Sequence, residues 1–359
     1  MAGQTSAPDR EPRSDSDRPD RIRIAAVMPV YNGSLWVEQA LLSVLAQSLA
    51  PDEIIVIDDG CTDDSLQRVH SIAEQEPRIR VVTQANAGQS AARNLGISMC
   101  DSEWIALIDQ DDVWYPNHLE RLATAVTKHT GLRLGWVYSD FDDIDADGRL
   151  VTRDFIKHSK VDNPKRELMK VLFQGFIIQP SATLIRREAI LEVGGFDERL
   201  SGYEDDDLFL RIFRADYDNA FLPVPTSQWR IHESSSGGTD RMIESLRIYS
   251  KKLIDAYPND KWRGLYYRSD ALAPRFITTW IQMYVRASRY KDRAKMRLYA
   301  REARALVRYL RPRPRLVMGA ALLLLRQPLF IRIWSTAADG KVLGWAALGA
   351  WGRRVTGLQ

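Results

Sequence analysis

Three groups of acidic residues fall where carboxylates can do chemistry. Asp109 and Asp111 stand one residue apart in WIALIDQDDVWYP. At that spacing two side chains can reach one side of a loop and hold a divalent cation. Mg2+ or Mn2+ suits such oxygen ligands and keeps positions open for phosphate. Asp58 and Asp59 end the run EIIVIDD, and Glu204, Asp205, Asp206 and Asp207 follow Gly202 and Tyr203. The positive end of a helix dipole accounts for one or two acidic groups in that last run, not for four. A general base at a helix N-terminus is the sharper reading. His232, after QWRI, could add a nitrogen ligand to the same cation, although a lone histidine more often serves structure.

The elements that would carry these groups follow from periodicity. Ile22–Val30, Glu53–Ile57, Ile79–Thr83 and Trp104–Ile108 are short apolar runs of the kind found in buried parallel strands. Between them, residues 35–46, 65–73 and 89–99 have helical spacing, and 117–128 follow as a fourth helix. This alternation predicts an α/β fold with a mostly parallel sheet. Its right-handed crossovers put Asp58, Asp59, Asp109, Asp111 and Asp112 on one sheet edge, where ligands of open α/β sheets bind. Like charges gathered there repel, so a cation or hydrogen-bonding ligand is expected among them. Later, 136–140 and 182–185 read as strands, 208–215 as a helix and 227–232 as extended chain.

The chain has 359 residues and a formal net charge of +3, which is a cancellation. Residues 1–240 hold 25 Lys/Arg against 40 Asp/Glu, a net of −15, whereas residues 241–359 hold 25 against 7, a net of +18. The polar stretch 1–21 is expected to be a disordered tail, 22–240 an α/β domain and 241–359 a helical basic region. Two cysteines, Cys61 and Cys100, make neither a disulfide framework nor a zinc site and suggest a reducing compartment. GxxxxGKS/T, GxGxxG after the first strand, HExxH and GxSxG are all missing, which argues against ATPases, dehydrogenases, zinc proteases and serine hydrolases.

Six segments in order, VMPVYNGSLWVEQALLSVLAQSL, EIIVIDDGCTDDS, ANAGQSAARNLGI, WIALIDQDDVWYP, GGFDERLSGYEDDDLFLR and WRIH, make residues 22–240 resemble a family-2 glycosyltransferase with the GT-A fold. The resemblance implies a nucleotide-sugar donor, a divalent cation and inversion at the anomeric carbon. It implies that Pro29 and Tyr31 line the nucleotide pocket and that Asp59 bonds the base or ribose. Arg93 would lie near the nucleotide and its phosphates, and Asp109 near ribose and sugar. Asp111 would ligate the metal, with His232 approaching the metal or diphosphate, and Asp205 would be the catalytic base. The family string DDGSTD has serine where this chain has Cys61, so a serine-type loop contact is in doubt. The QxxRW string of processive synthases is missing, which points to single addition.

In the basic region Met296, Tyr299, Ala303, Leu306 and Leu310 form an apolar stripe opposite Arg289, Arg293, Arg297, Arg301, Arg304 and Arg308. Such a helix suits an anionic membrane surface or a seat on the acidic domain. The apolar runs 316–325 and 342–352, with Trp334, Trp345 and Trp351 in or beside them, are too short to span a bilayer. Peripheral attachment to the cytoplasmic face and a glycan or lipid-linked acceptor are therefore expected. Nucleic acid is not expected, because the acidic half carries no nucleic-acid motif. A catalytically silent nucleotide-sugar-binding or scaffold protein is the main competing reading, and a nucleotidyltransferase another.

Overall fold

The computed structural model describes residues 22–324 apart from Thr130, Lys160 and residues 233–238. The tail 1–21, the segment 234–238 and the run 342–352 with its tryptophans lie outside the described residues. Strands β1 (Ile24–Val30), β2 (Glu53–Asp58), β3 (Ile79–Thr83) and β4 (Trp104–Leu107) are parallel, as the alternation predicts. The sheet is nonetheless mixed. With β5 (Val113–Trp114), β6 (Leu134–Ile144), β8 (Thr183–Arg186) and β9 (Asp218–Arg230), its order is β3-β2-β1-β4-β8-β6-β9-β5. A short β7 (Leu150–Thr152) pairs with β6 to the side. Strand β8 runs against β4 and β6, and β6 and β9 are parallel to each other. The C-terminal ends of β1, β2, β4, β6 and β9 therefore share one edge. Asp58, the DQDD loop and Arg230 all meet there.

Strand β1 shows why these runs are unbrokenly apolar: all seven of its residues are buried. Ile24, Ala26, Met28 and Val30 pack with α1 (Val37–Leu45), α2 (Ser65–Ala73) and α4 (His118–Lys128) on one face. Ala25 and Val27 pack on the other with α3 (Gln89–Ser98), a short α5 (Phe155–Ser159), α6 (Leu168–Gln174), α7 (Arg187–Glu192) and α8 (Glu204–Arg214). Gly96 lets α3 approach closely, since a Cβ there would sit 2.6 Å from a methyl of Val27.

The basic region belongs to this second face. Helices α9 (Asp240–Ala256), α10 (Ala273–Arg289), α11 (Arg293–Val307) and α12 (Pro312–Leu324) contribute buried residues to the cluster that holds Trp136 and Phe209. Burying Phe276, Ile277, Trp280 and Ile281 of α10 supplies about 6–12 kcal/mol before chain entropy is counted. The arginine stripe is not one helix. The chain turns at Lys291, with φ of 55°, and Asp292 caps α11 by accepting from the N–H groups of Ala294 and Lys295 at 3.1 and 3.0 Å. Arg289 thus closes α10, while Arg293, Arg297, Arg301, Arg304 and Arg308 lie exposed along and just beyond α11. The facing apolar stripe is used for packing, with Tyr299 against Trp280 at 5.7 Å between rings.

Strand β9 is far longer than the extended segment expected at 227–232. Pro223 and Pro225 argue against a strand there. The ladder accommodates them with a register shift, Ser139 facing Leu222 and Asp140 facing Pro225. No helix among the described residues is long and apolar enough to cross a membrane.

Candidate active site

The shared edge gathers the carboxylates, but each has different partners. Asp59 is buried, and its oxygens accept from the N–H groups of Ala87 and Gly88 at 2.8 and 2.9 Å and from the Gln84 amide at 2.7 Å. It shapes the loop that leads into α3, where Gly88 takes φ of 92°. Pro29 is buried within β1 beside Ile57. Tyr31 is half exposed, and its backbone exchanges two hydrogen bonds with the Gln110 side chain at 2.8 and 3.1 Å. Gln110 thereby fastens the loop after β1 to the DQDD loop. Burial and the adjacent Asp58 push the Cys61 thiol up to about 11, so it stays a neutral thiol. Its S–H faces the Val30 carbonyl at 3.5 Å.

Arg93 is 1% exposed and joins two acidic groups. Its guanidinium donates to Asp109 at 2.6 Å and to Glu204 at 3.1 Å. The DQDD loop and the N-terminus of α8 are therefore held by one side chain. Asp109 also accepts from Gln89 at 2.9 Å. Asp111 turns elsewhere: its carboxylate meets Nε2 of His232 at 2.8 Å. The imidazole lies against the Trp36 ring at 4.2 Å between centroids. Burial, and then the Asp109 charge, raise the pKa of Asp111.

An imidazole nitrogen and a carboxylate oxygen, beside a second carboxylate, suit Mg2+ or Mn2+. Such an ion takes few protein ligands and fills its other positions with phosphate and water. Among the described residues no group of three or more His, Cys, Asp or Glu is assembled to hold a metal by itself.

Asp112 is wholly buried and points away from this pair. It accepts from the Ser181 hydroxyl at 2.6 Å, the Gln179 amide at 2.9 Å and the Arg230 N–H at 3.0 Å. Burial first, and then Asp111 and Asp109, push its pKa well above the usual carboxylate range. Its role is to lock the loop to β9.

Tyr203 has φ of 64° and stacks on Tyr249 of α9 at 5.4 Å, which aims the start of α8. Of the four acids in its first turn, three have cations. Glu204 has Arg93, Asp206 has Arg275, and Asp207 has Arg211 and Lys252. Asp205 accepts only the Asp206 N–H, at 2.8 Å, among the described residues. Burial, then the Glu204 and Asp206 charges, raise its pKa well above the ordinary value. A half-buried carboxylate with raised proton affinity at a helix N-terminus is a competent general base.

Residues 25–194 match the family model described as Glycosyl transferase family 2. Over that stretch the chain is similar to the family 2 glycosyl transferases. It is 28% identical over 239 residues to the putative glycosyltransferase EpsH of Bacillus subtilis, covering 65% of each chain. It is 30% identical over 172 residues to an uncharacterized glycosyltransferase of Nostoc sp., covering 48% of this chain and 52% of that one. The chain thus spans less than two thirds of either relative. The crystal structure of S. aureus TarS 1-349 in complex with UDP-GlcNAc superposes with a TM-score of 0.61 at 15% identity, over 85% of this chain and 87% of that one. This likeness shows a shared GT-A fold.

Several residues that build the candidate site escaped sequence reasoning. Arg230 lay inside the quoted WRIH string, yet its donation to the Asp111 carbonyl at 2.8 Å depends on the unexpected length of β9. Ser181, Arg275 and Lys252 carried no motif at all. An open cleft of about 840 Å³ lies at the opposite sheet edge, lined by Arg23, Glu103 and Arg186 among others, away from these carboxylates.

Proposed function

We propose that this protein is an inverting, metal-dependent glycosyltransferase. It moves one sugar from a nucleotide-sugar donor to a glycan or lipid-linked acceptor. The observation that carries the reading is the buried Arg93 bridge between Asp109 and Glu204, which couples the DQDD loop to the helix turn of Asp205. The UDP-GlcNAc held by TarS supports the donor class. Asp205 accepts the proton of the acceptor hydroxyl as its oxygen attacks the anomeric carbon. The bond from that carbon to the diphosphate oxygen breaks, and the nucleoside diphosphate leaves. One displacement inverts the anomeric centre. Asp111 and His232 would hold Mg2+ or Mn2+, which supplies positive charge for the leaving diphosphate.

Peripheral attachment to the cytoplasmic face is part of this proposal. Trp262 is 100% exposed, between exposed Lys261 and Arg263, and Leu316, Val317 and Leu323 of α12 face outward near Arg313 and Arg315. Tryptophan and basic groups together favour an anionic interface.

Thermal-shift screening of UDP-, GDP-, dTDP- and CMP-sugars with Mn2+ identifies the donor. Asp205→Asn then binds that donor as the parent does while turnover falls by about 10²–10⁴. Undiminished turnover removes Asp205 as the base.

A further inference from the structure

Two of the four acids that open α8, Asp206 and Asp207, receive cations from the helical region, outside the family match over residues 25–194. Arg275 of α10, 8% exposed, donates to Asp206 at 2.5 Å, and the same carboxylate accepts the Phe176 N–H at 3.1 Å. Lys252 of α9 meets Asp207 at 2.6 Å and Asp197 at 2.9 Å. The Arg275 guanidinium lies over the rings of Tyr249 and Phe276, at 5.8 and 5.2 Å, so it is held in one place.

We infer that α9 and α10 form an electrostatic brace for the proposed general base. Lys252 and Arg275 are positioning residues that cancel the Asp207 and Asp206 charges and leave Asp205 as the proton acceptor of the run. The inference rests on the reading of Asp205 as base. Four neighbouring carboxylates without assigned cations would share their protons, and no one of them would be a defined acceptor. Here the groups facing Asp205 are known: Glu204 and Asp206 from its own turn, Arg93 from α3, and Tyr203 and Tyr249 beside the turn. Arg93 already takes Glu204. What remains to set the charge beside Asp205 is whether Asp206 is neutralised: Arg275 pairs with it directly, and the buried Lys165 adds a longer-range attraction that both variants leave in place. Phe176 at the end of α6 holds Asp206 through backbone alone, so it contributes orientation and no net charge.

Two variants of the full chain push in opposite directions. Arg275→Met leaves the Asp206 charge bare and strengthens repulsion on Asp205. Asp206→Asn removes that charge while keeping Arg275. The base must be ionised to act, so activity is lost as pH falls through its pKa. Arg275→Met therefore moves the acid limb of the kcat profile up by about one pH unit, and Asp206→Asn moves it down by a similar amount. The limb is read from UDP release with UDP-GlcNAc as the probe. In parallel, 13C NMR of carboxyl-labelled aspartate follows the Asp205 titration directly, assigned by its loss in Asp205→Asn, and needs no turnover. If Arg275→Met does not fold, the Asp206→Asn shift decides. Acid limb and carboxyl titration both unmoved, with stability lowered, make the brace a packing contact and overturn the inference. Normal turnover in Asp205→Asn instead removes the base itself, a failure separate from this one.

Discussion

The Arg93 bridge can be broken with one substitution. Arg93→Met keeps the aliphatic bulk and removes the charge from between Asp109 and Glu204, whose side chains are 18% and 8% exposed. At 2.6 and 3.1 Å, and an effective dielectric constant of about 20, the two attractions amount to about 6 and 5 kcal/mol. Desolvation of a fully buried guanidinium returns much of that. The variant, however, leaves two carboxylates without a cation, and breaking a buried pair in this way costs about 3–5 kcal/mol. With about 2–4 °C per kcal/mol for a domain of this class, the melting temperature should fall by about 6–20 °C. Differential scanning calorimetry reads this, with Arg93→Lys in parallel. A single ammonium cannot reproduce the two-armed bridge, so the lysine variant should lie between parent and Arg93→Met. Adding Glu204→Gln to Arg93→Met should recover part of the loss, because one bare charge is removed. A melting temperature within about 2 °C of the parent, given that slope, would show that the bridge is not the connection between loop and helix.

The acid limb of the parent kcat profile should lie well above the ordinary aspartate value of about 3.9, because the Asp205 pKa is raised and the base works only when ionised; a limb at or below 4 would contradict this. Asp111→Ala should abolish Mn2+ binding measured by electron paramagnetic resonance, and full turnover in EDTA would sink the metal assignment. Asp112→Ala leaves Ser181, Gln179 and the Arg230 N–H without their acceptor and should cost about 2–4 kcal/mol in urea unfolding; an unchanged midpoint would exclude its role as the lock. Trp262→Ala should reduce co-sedimentation of the full chain with vesicles containing phosphatidylglycerol, and undiminished binding would take Trp262 out of the membrane contact.

The parallel half of the sheet was legible because β1, β2 and β4 are buried on both faces and read as apolar runs, and those of β2 and β4 lead into aspartates. The mixed half was not. Pro223 and Pro225 mask β9, and two-residue β5 is too short for any pattern. The DQDD spacing pointed to the candidate site but not to its division of labour: Asp109 turns to Arg93, Asp111 to His232 and Asp112 into the sheet. Those directions depend on partners up to 121 residues away. The break between α10 and α11 had no glycine or proline to announce it, only Lys291 in a left-handed conformation. Lys252 and Arg275 were visible as members of a basic region. Their partners become fixed only when α9 and α10 dock.

The continuity of the core beneath both halves has a consequence for how this chain could be altered or recombined. The acidic and basic halves are in part each other's counterions, joined by Arg275 with Asp206 and Lys252 with Asp207. Replacing the helical region with that of a relative, in the hope of moving acceptor preference, would replace the neighbours of the proposed proton acceptor as well. A chimera joined near residue 240 would inherit a different working pH along with its new surface. Useful recombination points should be sought instead in segments that leave α8, α9 and α10 together, such as the exposed turn around Trp262 or the chain beyond α10.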